Sequence, residues 1–211
     1  MHYETIVFDL DGTISDPSIG IVRCTNFSLQ AMGLEKVEPE KVRSLIGVPL
    51  QDMLRQCAGE VGNDKLDQLI CKYRERYASL GYAENELYKG IPELLTGLGD
   101  RGIRLGICTS KRRDFALQIL SMFDLCSHFS FVDGGDIGVE KSDQLARLVQ
   151  SGLHPETTIM VGDRAVDVLA ARHNAIVSVG VSWGFGTQQE LANARPDFLA
   201  DTPCDVAQLI R

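Results

Sequence analysis

The chain has 211 residues, and its 29 acidic and 21 basic side chains give a formal net charge of −8 at pH 7. Hydrophobic residues make up 44% and charged residues 24%, a globular composition that argues against a disordered, collagen-like or fibrous protein. A surface with this negative excess repels phosphate backbones and anionic lipids. We therefore expect neither a nucleic-acid polymer nor a membrane among the partners.

The cysteines and the apolar runs bear on the cellular compartment. No two of the six cysteines have the C-x-x-C spacing, and a chain of this length does not need a disulfide framework. The first residues have neither the basic start nor the apolar core of a signal peptide. The apolar runs are shorter than the ~20 residues that span a bilayer. We expect reduced thiols and a cytoplasmic location.

The first third of the chain predicts one strand followed by helices. The segment Thr5–Leu10 is a strand candidate, because its continuous apolar run Ile6-Val7-Phe8 is typical of a strand that is covered on both faces. Asp16 is a candidate N-cap for a helix, and residues 37–82 have a helical pattern throughout. In the clearest of these helices, Lys65–Leu80, the apolar residues fall on one stripe that ends with Leu80.

From residue 91 onward the pattern alternates between helix and strand. The predicted strands are Ile103–Cys108, His128–Val132, Thr158–Val161, Ile176–Val179 and a short one near Phe198. This alternation predicts an α/β fold: a Rossmann-like parallel sheet with helices on both faces. The helical stretch after the first strand interrupts this alternation and is interpreted as a small all-helical insert. We therefore expect an α/β core of residues 1–15 and 86–211 and a helical cap of residues 16–85.

Two acids end the first predicted strand, in the segment Asp9-Leu10-Asp11-Gly12-Thr13. Acids two residues apart on extended chain point the same way, and Gly12 lets the backbone approach a ligand. One carboxylate can attack phosphorus while the other passes a proton to the leaving oxygen and later takes one from water. The alternative is an acidic strand end followed by a turn.

A second acidic pair, Asp163 and Asp167, follows the predicted strand Thr158–Val161. Together, Asp163 and Asp9 would form the oxygen-rich site that Mg²⁺ prefers. The alternative makes Asp163 a helix N-cap and Asp167 a surface acid.

Two further segments are candidates for binding an anion. Thr109 and Ser110 come before a predicted helix, where hydroxyl and backbone N–H groups can hold a phosphate, and Lys111 adds a cation. Ordinary capping is the alternative for the hydroxyl groups. Lys141 also comes before a helix, where it could offset the charge of the carboxylates or remain a solvated surface group.

This ordered set resembles the haloacid dehalogenase superfamily over the whole chain. The resemblance implies that Asp9 is the nucleophile and Asp11 the general acid/base. It further implies phosphoryl binding by Thr109 and Lys141, and Mg²⁺ binding by Asp9, by Asp163 and by the backbone carbonyl of Asp11. Asp167 is expected to support the metal or Lys141, and the helical insert is similar to this family's mobile cap.

The pattern is closer to some branches of the superfamily than to others. The second acid, Asp11, is missing from the dehalogenase and phosphonate-cleaving branches, so the layout resembles the phosphoglycolate-phosphatase-like branch. The segments Leu45–Leu50, Tyr73–Tyr77 and Tyr88–Leu95 are similar to bacterial 5′-nucleotidase-like members. One departure is Ser142, because many relatives have proline after the motif lysine.

These observations predict a Mg²⁺-dependent phosphatase that acts on a small phosphorylated metabolite through an aspartyl-phosphate. A nucleoside 5′-monophosphate is the favoured substrate, followed by phosphoglycolate or a sugar phosphate, with specificity set by the cap. There, Gly47 either lets a loop approach the substrate or makes a simple turn; Lys111 is a second candidate for specificity. A phosphomutase and a non-catalytic phosphometabolite-binding module are the alternatives. We expect a monomer or homodimer.

Overall fold

The computed structural model describes residues 2–135 and 139–209, and in it six parallel strands form one sheet. The strands are β1 (Thr5–Phe8), β4 (Arg104–Thr109), β5 (Phe131–Gly134), β6 (Thr158–Gly162), β7 (Val177–Val181) and β8 (Phe198–Ala200). Their order is β5-β4-β1-β6-β7-β8, with β1 between β4 and β6. All four residues of β1 are buried, as expected for a central strand covered on both faces.

Helices connect these strands and cover the sheet. They are α5 (Ile91–Asp100), α6 (Arg113–Met122), α7 (Lys141–Gln150), α8 (Ala165–His173), α9 (Gln188–Ala194) and α10 (Pro203–Leu209). Val7, Cys108 and Met160 of the central strands pack with Leu145 of α7 and Ala170 of α8 in one buried cluster. The cluster joins this sheet face to its helices, and burying such apolar surface is the main driving force of folding.

The strand order also fixes where a ligand can bind. After β1 the chain adds β4 and β5 on one side, then crosses to add β6, β7 and β8 on the other. In open parallel sheets of this kind, ligands bind outside the carboxyl ends of the strands, at the point where the order reverses. That point lies between β1 and β6.

The chain divides into two compact units, one comprising Met1–Asp16 with Leu87–Arg211 and the other Pro17–Glu86. We call them the core unit and the helical unit. The helices of the second are α1 (Ser18–Ala31), α2 (Pro39–Arg43), α3 (Leu50–Ala58) and α4 (Asn63–Ser79), followed by a 3₁₀ turn at Gly81–Ala83. Two short strands, β2 (Ser15–Asp16) and β3 (Glu86–Leu87), form a separate two-stranded sheet where the chain passes between the units.

An ion-pair cluster joins three segments of the helical unit. Arg76 on α4 donates two hydrogen bonds to Glu84, from Nη1 to Oε2 at 2.7 Å and from Nη2 to Oε1 at 3.0 Å. Arg23 on α1 donates to the same Oε1 at 2.7 Å. These bonds, led by the one from Arg76, lower the pKa of Glu84. The cluster therefore favours the ionised carboxylate and ties α1 and α4 to the segment after the 3₁₀ turn.

Three local expectations were wrong. The strand predicted at His128–Val132 begins only at Phe131, because residues 126–128 form a 3₁₀ turn. Leu80 is 56% exposed, because it follows the last residue of α4 and leaves the helical stripe. The first long helix begins at Ser18 with Pro17 as its N-cap residue, one position after the predicted Asp16.

The structure also gives the state of the cysteines and the apolar character of the helices. All six cysteines are free thiols, with Cys24, Cys57 and Cys108 buried and Cys71, Cys126 and Cys204 exposed. Within residues 2–135 and 139–209, no helix has the length and apolar character needed to cross a membrane.

Candidate active site

The turn after β1 presents Asp9 and Asp11 at the point where the strand order reverses. The Asp9 backbone N–H continues the pairing with β6 by donating to the Val161 carbonyl at 2.9 Å. The Leu10 carbonyl then accepts from the backbone N–H groups of the next three turn residues, Thr13, Ile14 and Ser15. Backbone hydrogen bonds therefore hold the chain on both sides of the segment that carries the two carboxylates.

Gly12 is required by the close approach of Asp163. Its φ of +86° lies in the region that favours glycine. A Cβ atom at this position would lie 2.2 Å from Asp163 Oδ2, well inside van der Waals contact. Glycine in the D-x-D-G-T segment therefore lets the loop after β6 bring its first acid against the turn after β1.

Three buried carboxylates meet at this point. One oxygen each from Asp9, Asp163 and Asp167 lie within 4.8 Å of one another. Burial and then the charges of Asp167 and Asp9 raise the pKa of Asp163. Burial, together with the charge of Asp9, also raises the pKa of Asp167 against the opposing effect of Lys141. Crowded oxygens whose ionisation is unfavourable fit a hard divalent cation, because the cation would offset their repulsion.

Lys141 lies between two of these acids. Its Nζ is 2.9 Å from Asp9 Oδ1 and 2.5 Å from Asp167 Oδ1, and the residue is only 3% exposed. Burial alone would lower the pKa of Lys141, but the carboxylates of Asp167 and Asp9 outweigh it and raise that pKa. Lys141 is the first residue of α7, so Ser142 in place of proline has not moved it away from the acids.

Asp11 is not part of the carboxylate triad and pairs with another lysine. Its Oδ2 lies 2.8 Å from Nζ of Lys111, and both side chains are largely buried. Burial raises the pKa of Asp11, although the charge and hydrogen bond of Lys111 oppose the rise. Lys111, which the sequence suggested as a specificity residue, therefore contacts the predicted general acid/base.

The remaining predicted residues differ in their surroundings. Thr109 ends β4, is 2% exposed, and its Oγ1 accepts from the Lys111 backbone N–H at 3.3 Å. The neighbouring Ser110 is exposed. Gly47 lies in the helical unit between α2 and α3, and its φ of +96° shows a turn that favours glycine. The structure thus brings together the core-unit candidates at the strand ends.

Sequence reasoning missed two contributors to this site. Gln144 is completely buried on α7 and donates from Nε2 to the Thr109 carbonyl at 3.1 Å and to Asp133 Oδ1 at 3.2 Å. Its spacing of three residues from Lys141 was the available signal, because both are polar residues on the buried face of one helix. The second is the Phe185 backbone N–H, which donates to Asp163 Oδ2 at 2.7 Å. A backbone donor has no side-chain signature.

Several known proteins are similar to this chain in sequence. A 5′-nucleotidase from Pseudomonas aeruginosa is 36% identical over 200 residues, which cover 93% of this chain and 90% of the relative. The tyrosine-protein kinase PtkA of Mycobacterium tuberculosis is 36% identical over 96% of this chain and 67% of its own length. A phosphoglycolate phosphatase from Agrobacterium fabrum is 30% identical over 92% of this chain and 87% of the relative.

A solved structure and a family profile extend the similarity to the fold. A haloacid dehalogenase-like family hydrolase from Streptococcus pneumoniae is similar to the whole structure, with a TM-score of 0.92, 29% identity and 99% coverage of both chains. The sequence profile of the haloacid dehalogenase-like hydrolases matches residues 6–181, which include both acidic pairs and Lys141. The chain belongs to the haloacid dehalogenase-like hydrolase family.

Proposed function

We propose that the protein is a Mg²⁺-dependent phosphatase that hydrolyses a small phosphomonoester through a phosphorylated Asp9. The observation that carries the proposal is the position of Asp9: at the carboxyl end of the central strand, with Lys141 Nζ 2.9 Å from its Oδ1. As a nucleophile, Asp9 would act at the point of the sheet where ligands bind in folds of this kind, which supports the proposal. The lysine can stabilise negative charge on both the carboxylate and an incoming phosphoryl group.

In the first proposed step, a carboxylate oxygen of Asp9 attacks phosphorus. The new bond joins aspartate and phosphorus, and the ester bond between phosphorus and the leaving oxygen breaks. Asp11 donates its proton to the leaving alkoxide, which departs as an alcohol. The buried setting that raises the pKa of Asp11 favours the protonated form required for this step.

In the second step, water attacks phosphorus and gives a proton to the Asp11 carboxylate. The bond between Asp9 and phosphorus breaks, inorganic phosphate leaves, and both aspartates return to their starting states. Lys111 pairs with Asp11 and favours the ionised form that accepts this proton. Asp11 must act both as a protonated acid and as an ionised base. Burial raises its pKa and Lys111 lowers it, and these opposing effects suit that double role.

The other side chains would bind the phosphoryl group and the cation. Thr109, Ser110 and Lys141 are the proposed phosphate ligands. Asp9 and Asp163 would hold Mg²⁺ with the Asp11 backbone carbonyl, while Asp167 supports Lys141 and the metal waters. When bound, Mg²⁺ would neutralise charge on the phosphoryl oxygens.

A nucleoside 5′-monophosphate is the proposed substrate class, with phosphoglycolate or a sugar phosphate next. The name of the Pseudomonas aeruginosa relative supports the first and that of the Agrobacterium fabrum relative the second. The name of PtkA adds a kinase among the relatives, so a test should also include ATP. The helical unit is proposed to act as the cap that selects the leaving group, and the cytoplasmic location stays a prediction.

Phosphate release from a panel of nucleotides, phosphoglycolate and sugar phosphates tests the proposal. We expect release that needs Mg²⁺, stops with EDTA, and falls at least about a thousandfold in Asp9→Asn, because the amide is a far weaker nucleophile. Acid-stable label on tyrosine after incubation with γ-labelled ATP would indicate a kinase instead. Release that persists unchanged in Asp9→Asn would contradict the proposed intermediate.

Two further outcomes identify the alternatives that the sequence left open. Migration of phosphate within a sugar phosphate without net release would indicate a phosphomutase. Binding of a phosphometabolite by the folded protein without any turnover at saturating Mg²⁺ would indicate a binding module.

A further inference from the structure

The glycine-rich segment after β7 makes direct contacts with Asp163. We call residues 183–186, Trp183-Gly184-Phe185-Gly186, the WGFG loop. The Phe185 backbone N–H donates to Asp163 Oδ2 at 2.7 Å. The other carboxylate oxygen, Oδ1, accepts from Thr13 Oγ1 at 3.3 Å. Each oxygen of this buried carboxylate therefore has a protein donor that fixes its direction, and each keeps a lone pair for a further partner.

The same loop also contacts the turn that carries the predicted catalytic acids. The indole Nε1–H of Trp183 donates to the Thr13 carbonyl at 3.1 Å. Thr13 itself is completely buried and is the residue whose hydroxyl group reaches Asp163. Trp183 thus holds the backbone of Thr13, whose hydroxyl group positions Asp163 Oδ1. Phe185 positions the other carboxylate oxygen, Oδ2, directly.

Glycine is needed at two positions for the loop to come this close. A Cβ atom on Gly184 would lie 2.3 Å from both Asp163 Cβ and the Gly12 carbonyl oxygen. A Cβ atom on Gly186 would lie 1.8 Å from the Asp163 carbonyl oxygen. The loop backbone therefore packs directly on the backbone and side chain of Asp163, with no room for a larger residue.

The start of the loop is anchored on the neighbouring edge strand. The Ser182 backbone N–H donates to the Ala200 carbonyl at 3.0 Å, and Ser182 Oγ donates to Asp201 Oδ1 at 2.7 Å. The WGFG loop is therefore tied to β8 at one side and to the turn after β1 at the other. It spans the carboxyl ends of the strands between them.

We propose that the WGFG loop is a clasp that fixes Asp163 against the turn after β1 and thereby sets the affinity of the acidic site for a divalent cation. Trp183 is a positioning residue in this arrangement. A metal-binding side chain that is already oriented by hydrogen bonds to other protein groups loses little freedom when the metal binds. Removing those hydrogen bonds weakens metal affinity. The inference rests on the proposed function only in taking Asp163 as a metal ligand.

The test measures Mn²⁺ binding by the electron paramagnetic resonance signal of the free ion, with the full chain and no substrate. Trp183→Phe keeps an aromatic ring but removes the donor to Thr13. We expect its Kd for Mn²⁺ to rise about fivefold, the effect of losing one hydrogen bond. Phosphate release should then need correspondingly more Mg²⁺, with kcat recovered at saturating Mg²⁺.

A second pair of variants tests the close packing. Gly184→Ala should raise the Kd at least about tenfold, because its Cβ atom displaces Asp163. Gly97→Ala is the matched control: it lies in α5, and nothing is within 4 Å of the added Cβ atom. Its Mn²⁺ affinity should equal that of the unchanged protein. Circular dichroism and thermal unfolding establish that each variant is folded.

The outcomes separate this inference from the proposed function. Wild-type Mn²⁺ affinity in folded Trp183→Phe and Gly184→Ala would overturn the clasp while leaving phosphatase activity intact. Absence of Mn²⁺ binding by the unchanged protein would also overturn it. If the unchanged protein binds Mn²⁺ but releases no phosphate from any substrate, the proposed function fails, and weaker binding by the variants still supports the clasp.

Discussion

Two charged clusters in this molecule have opposite balances of charge. In the core unit, Lys141 pairs with Asp9 and Asp167, Lys111 pairs with Asp11, and Asp163 adds a fourth acid beside Asp9 and Asp167. In the helical unit, Glu84 alone is shared by Arg23 and Arg76. Burial raises the pKa of three of the core acids. In contrast, hydrogen bonds and charges from the two arginines lower the pKa of Glu84.

The difference fits the proposed roles, in which the core cluster carries out the chemistry and the helical cluster contributes stability. An excess of buried acids disfavours its own ionisation and is relieved by a bound cation, so its geometry is maintained at some cost in stability. A carboxylate with two arginines is stabilised as it stands. We therefore expect changes in the core cluster to affect both activity and stability, and changes in the helical cluster to affect mainly stability.

The largest effect that sharpens this comparison should come from Lys141→Met. It leaves Asp9 and Asp167 buried without their shared cation, so the free energy of unfolding at pH 7 should fall by about 3–5 kcal/mol. The raised pKa of Lys141 means that its contribution is fully present below its ordinary value of 10.5 and is lost only as pH rises through the raised value. Urea denaturation at pH 7 measures the loss.

Arg147→Met, on the same helix, is the control for that measurement. The Arg147 side chain is 52% exposed and its Nη2 lies 3.8 Å from Asp133 Oδ1, so the loss should stay below about 0.5 kcal/mol. Equal losses from both variants would show that the charge of Lys141 has no special role in the core cluster.

A smaller effect is expected from Glu84→Gln in the helical unit. Losing the charge shared by two arginines should lower the free energy of unfolding by about 1–2 kcal/mol at pH 7. Because the pKa of Glu84 is lowered in the fold, this contribution is present above its ordinary value of 4.5. It is lost as pH falls through the lowered value.

Denaturant titrations at pH 7 and at decreasing pH test this dependence. The difference between Glu84→Gln and the unchanged protein should disappear at the acidic end. Glu75→Gln, from the exposed pair with Lys72 on α4, is the matched control and should change stability by no more than about 0.5 kcal/mol. A loss at Glu84 that does not change with pH would show that packing, not charge, holds the cluster.

The smallest of the three effects is expected from Lys111→Met. Lys111 opposes the rise that burial causes in the pKa of Asp11, so its removal should raise that pKa further. The pH–rate profile should then move to higher pH, and kcat at pH 7 should fall about fivefold. Arg112→Met, from an exposed pair with Asp114, should leave the profile unchanged. A Lys111→Met profile identical to that of the unchanged protein would exclude Lys111 from the control of Asp11.

The sequence predicted the elements whose side chains carry a repeating pattern. The buried run of β1 and the apolar run of β6 identified the two central strands, and alternation with helices gave the parallel sheet that the structure shows. The strand at Phe131–Gly134 was placed three residues early. A short 3₁₀ turn and a strand start look alike in a sequence without strict alternation.

The site divides in the same way. Asp9, Asp11 and Asp163 could be predicted as candidates because acids at strand ends converge in a parallel sheet. The partner of Arg76 could not be found, because Glu84 lies beyond α4 and its contact depends on how the chain turns after residue 80. The contacts of Trp183 and Phe185 with the site depend on loop conformation. Loops have no repeating pattern of apolar residues from which a single sequence could predict it.

The strand order has a consequence for synthesis on the ribosome. Thr13 and Asp163, which meet in the site, are 150 positions apart. At about 5–20 residues per second, β1 emerges roughly 8–30 seconds before the segment that must lie beside it. During that interval the buried strand β1 lacks β6, the neighbour on one of its two sides, although β4 on the other side is made earlier. A chaperone that covers β1 during this interval should reduce aggregation, and messenger regions that slow translation before β6 should increase it.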